Sequence, residues 1–377
     1  MYKKSVFYIS ANLSSNASGG RLLSETNLKI LEACTGIDIE VFSVGRGETE
    51  FNNIQSTTST FSTGIANLNL FSGGLNRRAV NVIVNEIAKK QPVLLYLDTS
   101  LFGYLAFIVK KNFPSIKIIT FFHNVEIDFK RQCYGGLKRL VYAPAIISDW
   151  VNEKLAISHS DTLVALHATD SNRLQRLYGR AADFIHPVCI ADAKPACHYI
   201  NSQVNLQPGY LLFVGSAFPP NIQALEFLCE HVMPFVDIPL VVIGANLETY
   251  THKFGSKNVC IIGTVSDLEP YYRNAKLVVT PIFAGAGMKV KVAEALMHGR
   301  SVIGSRFSFI GYENAIAHGV CIIAETASEY INKIKGFTSS PDADSVAEKL
   351  FLEEFSVAAG INRMTEIVGG LNIGLLE

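Results

Sequence analysis

The sequence predicts an α/β protein with two parallel sheets, and three observations support this fold class. Short apolar runs rich in Val, Ile and Phe alternate with helix-period segments along nearly the whole chain, which is typical of repeated βα units. A chain of 377 residues is long enough for two domains, each with its own core. Residues 191–208 lack a regular period and contain two prolines, which indicates an interdomain linker. We therefore expect two Rossmann-like halves in tandem.

The first array of elements occupies residues 1–190. Its predicted strands are Val6–Ser10, Ile37–Val44, Val93–Asp98, Ile116–Phe122, Thr162–Leu166 and Asp183–Ile185. Its predicted helices are Arg21–Ala33, Leu75–Lys90, Leu101–Lys111, Leu137–His159 and Asp170–Tyr178. The stretch from Gly45 to Gly74 is rich in Ser, Thr, Asn and Gly and weakly periodic, so we expect a long surface loop there.

The second array occupies residues 209–355. Its predicted strands are Leu211–Val214, Leu240–Ile243, Val259–Ile262, Leu277–Thr280, Ser301–Gly304 and Val320–Ile323. Two helices at Asp344–Phe355 and Val357–Val368 follow the last strand. We expect the closing segment, residues 356–377, to pack back on the first domain.

Charge and cysteine content exclude several classes of protein. The 33 Lys and Arg residues balance 33 Asp and Glu residues, so the basic excess of a dedicated nucleic-acid binder is missing. Seven scattered cysteines without a CxxC pair argue against a disulfide framework and a zinc site. The apolar run at the N-terminus is too short for a signal peptide, and no run approaches the roughly 18 residues of a membrane span. We expect a cytoplasmic protein.

A glycine-rich loop follows the fourth strand of the second array. Residues 281–288 contain Gly285 and Gly287, and a helix begins near Lys289. Unpaired N–H groups and the positive end of a helix dipole form a phosphate site, and glycines let the backbone approach the ligand closely. Lys289 and Lys291 add positive charge. The alternative is an ordinary glycine-containing βα turn.

Glu294 is a lone carboxylate on an otherwise apolar helix. It lies on the same helical stripe as Lys291 and His298, while Val292 and Leu296 are apolar. A carboxylate beside a phosphate site is well suited to accept the hydroxyls of a ribose, as acidic residues do in dinucleotide folds. The alternative is a simple ion pair between Lys291 and Glu294.

Four segments together carry a family resemblance. Gly263–Ala275, Val278–Pro281, Gly285–Leu296 and Gly299–Ile303 resemble the donor-binding half of GT-B glycosyltransferases of family 4, the glycosyl transferases group 1. The order of the two arrays extends this resemblance loosely over the rest of the chain. It implies two Rossmann-like domains that face each other across a cleft.

The resemblance implies roles for residues of the second array. Glu294 would bind the ribose of a nucleoside diphosphate sugar. Gly287, Met288 and Lys289 would contact the diphosphate, and the segment from Gly263 to Val265 would border the base.

Two positions depart from the family pattern. The family often has a further glutamate that contacts the transferred sugar, and the matching residue here is Ala286. The family's Arg and Lys after the first strand of this half are also missing, because Gly215 and Ser216 continue as Ala-Phe-Pro-Pro-Asn. Lys289 or Lys291 would have to replace that charge.

The first array would then bind the acceptor. In similar enzymes a glycine loop like Gly19-Gly20 lies close to the donor phosphate, and a histidine placed like His123 lies beside the transferred sugar. Glu126, three residues later, would contact the acceptor. The alternatives are a glycine pair that starts a helix, a structural histidine and a first-turn helix charge for Glu126.

The sequence offers little support for a metal site. The DxD motif Asp342-Ala343-Asp344 precedes a helix and follows Ser-Ser-Pro, so it is interpreted as a helix cap, and we expect neither a cofactor nor an essential metal. Basic residues among apolar ones occur at Leu137–Leu140, with others at Lys130, Arg131, Arg77 and Arg78. They indicate either solvated helix faces or a patch that contacts a membrane surface peripherally.

Together these observations predict a hexosyltransferase-like enzyme that moves a sugar from a nucleoside diphosphate sugar to a hydroxyl of a glycan or lipid-linked glycan. The resemblance implies retention of anomeric configuration in polysaccharide or glycoconjugate biosynthesis, in the cytoplasm or at the inner face of the membrane. Another GT-B activity, such as a nucleotide-sugar epimerase or a phosphorylase, is one alternative. A non-catalytic nucleotide-binding subunit is the other.

Overall fold

The computed structural model describes residues 4–14, 19–37, 39–45, 51–57, 59–134, 136, 138–191, 207–285, 287–338 and 340–375. The chain divides into two compact units. Unit 1 comprises Met1–Cys189 and Val357–Glu377, and unit 2 comprises Ile190–Ser356. Residues 192–206 of the predicted linker lie outside the described residues.

Within the described residues the strands are β1 (Val6–Ser10), β2 (Ile39–Gly45), β3 (Asn52–Gln55), β4 (Leu94–Leu97), β5 (Lys117–Phe122), β6 (Thr162–Ala165), β7 (Phe184–Ile185), β8 (Tyr210–Val214), β9 (Leu240–Ile243), β10 (Val259–Gly263), β11 (Ala275–Thr280), β12 (Val302–Gly304) and β13 (Cys321–Ile323). The helices are α1 (Gly19–Thr35), α2 (Thr60–Leu68), α3 (Arg77–Lys90), α4 (Gly103–Asn112), α5 (Glu126–Cys133), α6 (Lys138–Val141), α7 (Ala143–His159), α8 (Ala168–Tyr178), α9 (Pro219–Phe227), α10 (Thr251–Phe254), α11 (Glu269–Asn274), α12 (Val290–Met297), α13 (Glu313–Ala317), α14 (Ala327–Gly336), α15 (Pro341–Leu350) and α16 (Val357–Gly369). Short 3-10 or π turns lie at Ser100–Phe102, Leu228–Val232, Met233–Phe235, Leu247–Tyr250, Phe307–Phe309 and Phe351–Phe355.

Each unit contains one parallel sheet with the same central strand order. In unit 1 the order is β3-β2-β1-β4-β5-β6-β7, and in unit 2 it is β10-β9-β8-β11-β12-β13. The chain reverses its direction of winding between β1 and β4 and again between β8 and β11. Ligands of open α/β sheets bind beyond the carboxyl ends of the strands at such a reversal. The two sheets confirm the predicted α/β class with two Rossmann-like halves.

The central strands of both sheets are buried on two faces, which explains why β1, β4, β8 and β9 are continuous apolar runs. In unit 1, Phe7 and Ile9 of β1 pack with Leu95 of β4 against apolar side chains of α3 and α4, such as Ile83. In unit 2, a second core includes side chains from β8, β9 and β11 together with α9 and α14. Across the described ranges, every helix is too short or too polar to traverse a bilayer.

The C-terminal helix α16 packs on α1 within unit 1. Gly360 makes this close approach possible, because a Cβ atom there would lie 2.6 Å from Ile30 Cδ1 and 2.9 Å from Cys189 Sγ. Any larger residue at this position would force the two helices apart.

The structure corrects the prediction of a long loop between Gly45 and Gly74. The described part of this stretch contains β3 and α2. β3 is an edge strand in which only Ile54 is buried, so it lacks an apolar run. α2 starts with a capping box formed by Ser59 and Ser62, and of its nine residues only Ala66 is buried. Neither element has the buried apolar pattern on which the prediction depended.

The helix predicted at Leu137–His159 is also two helices. α6 ends at Val141 and α7 begins at Ala143, with Pro144 in its first turn. Proline fits the first turn of a helix, where its missing N–H is not needed, but it interrupts a helix interior.

Candidate functional site

The loops after β8 and β11 lie side by side at the strand reversal of unit 2. β8 and β11 are paired neighbours in the sheet, and both loops leave from the carboxyl ends of their strands. The second loop leads into α12, which carries Lys291 and Glu294. The fold thus places the predicted glycine loop and its helix where a doubly wound sheet binds ligands.

The backbone of the loop after β11 depends on glycine. Gly285 and Gly287 have φ angles of +121° and +63°, which other residues rarely adopt. Met288 is buried and packs on Gly311, where a Cβ atom would lie 2.7 Å from its Sδ atom. Ala286 lies outside the described residues. Glycine and the buried thioether together fix the path from the strand to α12.

The two lysines of this region point to different partners. Lys289 Nζ donates to the carbonyl oxygen of Gly287 at 2.6 Å and lies 4.6 Å from the centre of the Phe307 ring. Lys291 Nζ donates to Asn221 Oδ1 at 2.9 Å and lies 5.0 Å from the centre of the Phe213 ring. Lys291 therefore brings an ammonium group to the loop after β8, where the sequence has no cation.

Asn221 connects Lys291 to that loop. Its side-chain Nδ2 donates to the carbonyl oxygen of Ser216 at 2.9 Å, while its Oδ1 accepts from Lys291. Gly215 makes room for this amide, because a Cβ atom there would lie 2.8 Å from Asn221 Cγ. Ser216 itself is exposed.

Lys291 is held in surroundings that disfavour its charge. Its pKa is lowered to about 7, chiefly by burial; Glu294 opposes this shift, and nearby Lys289 adds to it. An anion that bound beside this ammonium group would favour its protonated form.

Glu294 is oriented by a buried tyrosine. Tyr272 donates its hydroxyl hydrogen to Glu294 Oε2 at 2.8 Å, and its ring stacks on His298 at 5.2 Å. Burial raises the pKa of Glu294, while Tyr272 and Lys291 oppose this effect. Between the described side chains of Lys291 and Glu294 there is no ion pair, and their partners are Asn221 and Tyr272 instead. The simple ion-pair alternative is therefore wrong.

Three glycines bring the carboxyl ends of β8, β9 and β10 together. Gly244 has a φ angle of +153°, and a Cβ atom on it would lie 1.9 Å from the carbonyl oxygen of Gly215. Its N–H donates to the carbonyl oxygen of Gly263 at 2.8 Å. Gly263 ends β10 with a φ angle of +83°, and Val265 follows it half-buried. The predicted residues 215 and 263 thus lie along one edge of the sheet.

Unit 1 has a polar cluster at its own strand reversal. Asp98 follows β4, is completely buried, and accepts a hydrogen bond from Ser10 Oγ at 2.7 Å. His123 follows β5, and its Nε2 lies 2.9 Å from the carbonyl oxygen and 3.2 Å from Oδ1 of Asp98. Asn12 Nδ2 lies 3.4 Å from the same Nε2 atom. His123 is therefore held by residues from β1, β4 and β5.

The environment of His123 favours its protonated form. Burial lowers its pKa, but the Asp98 carboxylate outweighs burial and holds the pKa above its ordinary value. The cluster extends to α1, since Asn12 donates to Ser24 Oγ at 3.1 Å and would contact a Cβ atom on Gly20 at 3.7 Å. Gly19 begins α1, and residues 15–18 before it lie outside the described residues.

Glu126 is a buried carboxyl group in the first turn of α5. Its N–H donates to Glu153 Oε1 at 2.7 Å, and Glu153 Oε2 accepts from Ile127 N at 3.3 Å and from the Tyr178 hydroxyl at 2.7 Å. Burial raises the pKa of Glu126 to about 7 and that of Glu153 to about 8. Glu153, on α7, thus caps α5 and fixes the turn that carries His123 and Glu126.

The DxD motif lies in the first turn of α15. Ser340 Oγ accepts from Ala343 N at 3.2 Å and caps this helix, and Asp344 Oδ2 pairs with Arg300 at 2.7 Å. Among the described residues, no three His, Cys, Asp or Glu side chains are grouped as a metal site would need.

Several residues of these clusters were not predicted from the sequence. They are Asn12, Asp98, Asn221, Tyr272 and Gly311. Asp98 had a usable signal, because it is a polar residue at the carboxyl end of a predicted strand, the region from which ligand-binding side chains of such sheets come. The others are recognisable only through partners that are distant in sequence.

Two parallel sheets with this winding, in two successive units, define the GT-B class. Sucrose-phosphate synthase from Thermosynechococcus elongatus is similar with a TM-score of 0.74 and 16% identity over 98% of this chain and 99% of that chain. HepE from Anabaena, solved in complex with UDP, is similar with a TM-score of 0.65 and 13% identity over 98% of this chain and 100% of that chain. WaaG, a glycosyltransferase involved in lipopolysaccharide biosynthesis, is similar with a TM-score of 0.65 and 17% identity over 97% of this chain and 100% of that chain.

The sequence of unit 2 matches a family model. Residues 208–349 match the family model described as Glycosyl transferases group 1. No sequence among the curated proteins matches the chain. This family-model match and the fold confirm the resemblance: the chain has the GT-B fold, and its residues 208–349 match the group 1 glycosyltransferases.

Proposed function

We propose that this protein transfers a sugar from a nucleoside diphosphate sugar to a hydroxyl of a glycan or lipid-linked glycan. The observation that carries the proposal is the position of Lys291 and Glu294 on the same short helix, α12, beside the glycine loop at the strand reversal of unit 2. The same fold in HepE has been solved with UDP and with UDP-glucose, which supports a nucleotide sugar as the donor.

In this proposal the diphosphate lies between the loop after β11 and the loop after β8. Lys291 supplies charge from one side, and the amides of Gly287 and Met288 with the N-terminus of α12 supply dipoles from the other. Charge builds up on the diphosphate as the glycosidic bond breaks, and fixed donors around it lower the barrier. The donor is a substrate rather than a cofactor, and lysines rather than an essential metal balance its charge.

Glu294 would accept the ribose hydroxyls. Tyr272 occupies one of its two oxygens and fixes the rotamer of the carboxylate, so the other oxygen is presented in a defined direction. The segment from Gly263 to Val265 would then border the base.

Unit 1 would supply the acceptor side of the reaction. His123, oriented by Asp98, would contact the transferred sugar, Glu126 would contact the acceptor, and Gly19 and Gly20 would lie near the phosphate. We further propose that the reaction retains anomeric configuration through attack from the same face. We place this activity in the cytoplasm, in polysaccharide or glycoconjugate biosynthesis.

Replacement of Glu294 by Ala tests the proposal. A thermal-shift screen with UDP, GDP and ADP compounds first identifies the nucleotide, because a bound ligand raises apparent stability. Acceptor-dependent release of that nucleoside diphosphate is then measured. We expect Glu294→Ala to lower the rate at least about 100-fold, since a ribose contact and its positioning are lost together. Wild-type transfer by folded Glu294→Ala would refute the site, and Glu353→Ala is the matched control on an exposed carboxylate of the same unit.

A non-catalytic subunit is the second candidate, because Ser216 stands where the family has a cation. Nucleotide binding without acceptor-dependent release, together with a stable complex with a companion enzyme, would favour it. An epimerase or a phosphorylase would act on the nucleotide sugar or a glycan without this acceptor dependence.

A further inference from the structure

The loop after β9 carries a carboxylate, that of Glu248, on a fixed turn. Gly244 follows β9, and the 3-10 turn Leu247–Tyr250 comes shortly afterwards. Leu247 is completely buried in the core of unit 2, and its N–H donates to the carbonyl oxygen of Gly244 at 3.3 Å. Thr251 Oγ1 donates to the carbonyl oxygen of Glu248 at 2.8 Å. The backbone that carries Glu248 is therefore held on both sides.

The side chain of Glu248 lies against Gly263, the last residue of β10. A Cβ atom on Gly263 would lie 2.7 Å from Glu248 Oε2 and 3.3 Å from Glu248 Cβ, so the absence of a side chain at Gly263 makes room for this carboxylate. The turn Leu247–Tyr250 also packs on β10. In the proposed function the segment from Gly263 to Val265 borders the base. A base in that position comes within reach of the Glu248 carboxylate.

The Glu248 carboxylate is available to a ligand. The residue is exposed, and among the described residues neither of its oxygens has a hydrogen-bond donor or a cation as a partner. Residues 244–251 and 263–268 contain two charged side chains, and both are acids, Glu248 and Asp267. Asp267 Oδ1 already accepts from the N–H of Glu269 at 2.9 Å. The two loops therefore offer carboxylate acceptors and contain no lysine or arginine.

The common bases differ in the donors that they present to such a carboxylate. A carboxylate accepts hydrogen bonds through two adjacent oxygens and donates none. The Watson–Crick edge of guanine has two adjacent donors, N1–H and the N2 amino group, and so matches both oxygens. Adenine and cytosine present one amino group beside a ring nitrogen that is an acceptor. Uracil presents one N–H between two carbonyl oxygens, which a carboxylate repels.

We propose that Glu248 selects a guanine nucleotide, so that the donor is a guanosine diphosphate sugar. One carboxylate oxygen accepts from N1–H and the other from the N2 amino group, while Gly263 leaves the space in which the side chain lies. This base preference rests on the proposed function and deepens it, because it concerns the base bound at the same site. HepE, which was solved with UDP, is 13% identical to this chain, so its ligand leaves the base open here.

Isothermal titration calorimetry with free nucleotides tests this preference on the full-length protein. The probes are GDP, UDP, ADP and inosine diphosphate, which differs from GDP only by lacking the N2 amino group. We expect GDP to bind at least about tenfold more tightly than each of the others, because each of them lacks a charge-assisted hydrogen bond that GDP makes. Binding of UDP or ADP as tight as that of GDP, or equal affinity for GDP and inosine diphosphate, would overturn the guanine preference while the proposed transfer reaction stands. Absence of binding by all of the probes would refute the donor site itself.

A variant assigns the preference to Glu248. Glu248→Gln keeps the size of the side chain but replaces one acceptor oxygen by a donor, so we expect GDP affinity to fall at least about tenfold and the preference for GDP over inosine diphosphate to disappear. Glu353→Gln is the matched control, since it changes an exposed carboxylate of the same unit and should keep the wild-type preference. Circular dichroism checks that both variants are folded. A Glu248→Gln variant that prefers GDP over inosine diphosphate as strongly as wild type would contradict the role of Glu248.

Discussion

The charge on Lys291 offers a sharp test of the donor site. Its Nζ atom is the cation at the loop after β8, and burial lowers its pKa to about 7. If a diphosphate binds the protonated form, nucleotide affinity must fall as the pH rises through this value. Nucleotide binding must also take up a proton in the same range.

The size of the effect follows from the pKa. With a pKa of about 7, roughly half of Lys291 is charged at pH 7, about a tenth at pH 8 and about a hundredth at pH 9. The apparent dissociation constant for a nucleoside diphosphate should therefore increase about fivefold from pH 7 to pH 8 and about tenfold from pH 8 to pH 9. Lys291→Arg keeps its charge throughout and should remove this dependence. Lys291→Met should bind about 10- to 100-fold more weakly than wild type at pH 7, because a charge-assisted hydrogen bond is lost.

Isothermal titration calorimetry from pH 7 to pH 9 measures the nucleotide dissociation constant and the proton uptake on binding. Two buffers with different ionisation enthalpies give the number of protons taken up on binding. Lys349→Met is the matched control, since Lys349 is an exposed lysine of the same unit that pairs with Glu353. An affinity for wild type that stays constant from pH 7 to pH 9, or a Lys291→Met variant that binds as wild type, would refute the assignment of Lys291 to the phosphate.

Three further predictions follow from the other clusters. Asp98→Asn removes the charge beside His123. We expect kcat to fall about 10- to 100-fold and the pKa of His123, measured by NMR, to decrease. An unchanged kcat and an unchanged pKa would contradict the positioning role of Asp98. In urea unfolding, Gly311→Ala should lose about 2 kcal/mol more stability than Gly319→Ala. Both glycines have a positive φ angle, but only a Cβ atom at Gly311 would clash with a side chain. Equal losses would refute the packing argument. The pKa values of Glu126 and Glu153 are raised in the fold, so their stabilising contribution is complete below about pH 4.5 and is lost as the pH rises through about 7 to 8. The melting temperature should fall across this window, and Glu153→Gln should flatten the decline.

Much of the fold was predictable because its strands are buried on both faces. Each of the twelve predicted strands overlaps an observed one, since a strand inside a parallel sheet is a short apolar run between polar turns. Two of the segments that escaped prediction, β3 and α2, bury little apolar surface of their own. A pattern that depends on burial cannot identify an edge strand or a helix whose apolar stripe faces outward.

The candidate site was predictable where its signal is local. Gly285, Gly287 and Glu294 lie within one loop and the helix that follows it, so their spacing alone indicated a phosphate loop and a carboxylate. Tyr272 and Asn221 contact the same helix from 22 and 70 residues away. Such contacts arise from the order of the strands, which the sequence of an individual element does not contain. The choice between Lys289 and Lys291 likewise required the directions of their side chains.

The chemistry of residue 221 has a consequence for how a ligand meets unit 2. An aspartate there would accept the same hydrogen bond from Lys291 but would cancel its charge. The neutral amide instead aims the ammonium group while leaving its positive field intact, and its own N–H is occupied by Ser216. An incoming anion thus meets an amine that is already oriented by the Asn221 amide, without a carboxylate at position 221 to displace.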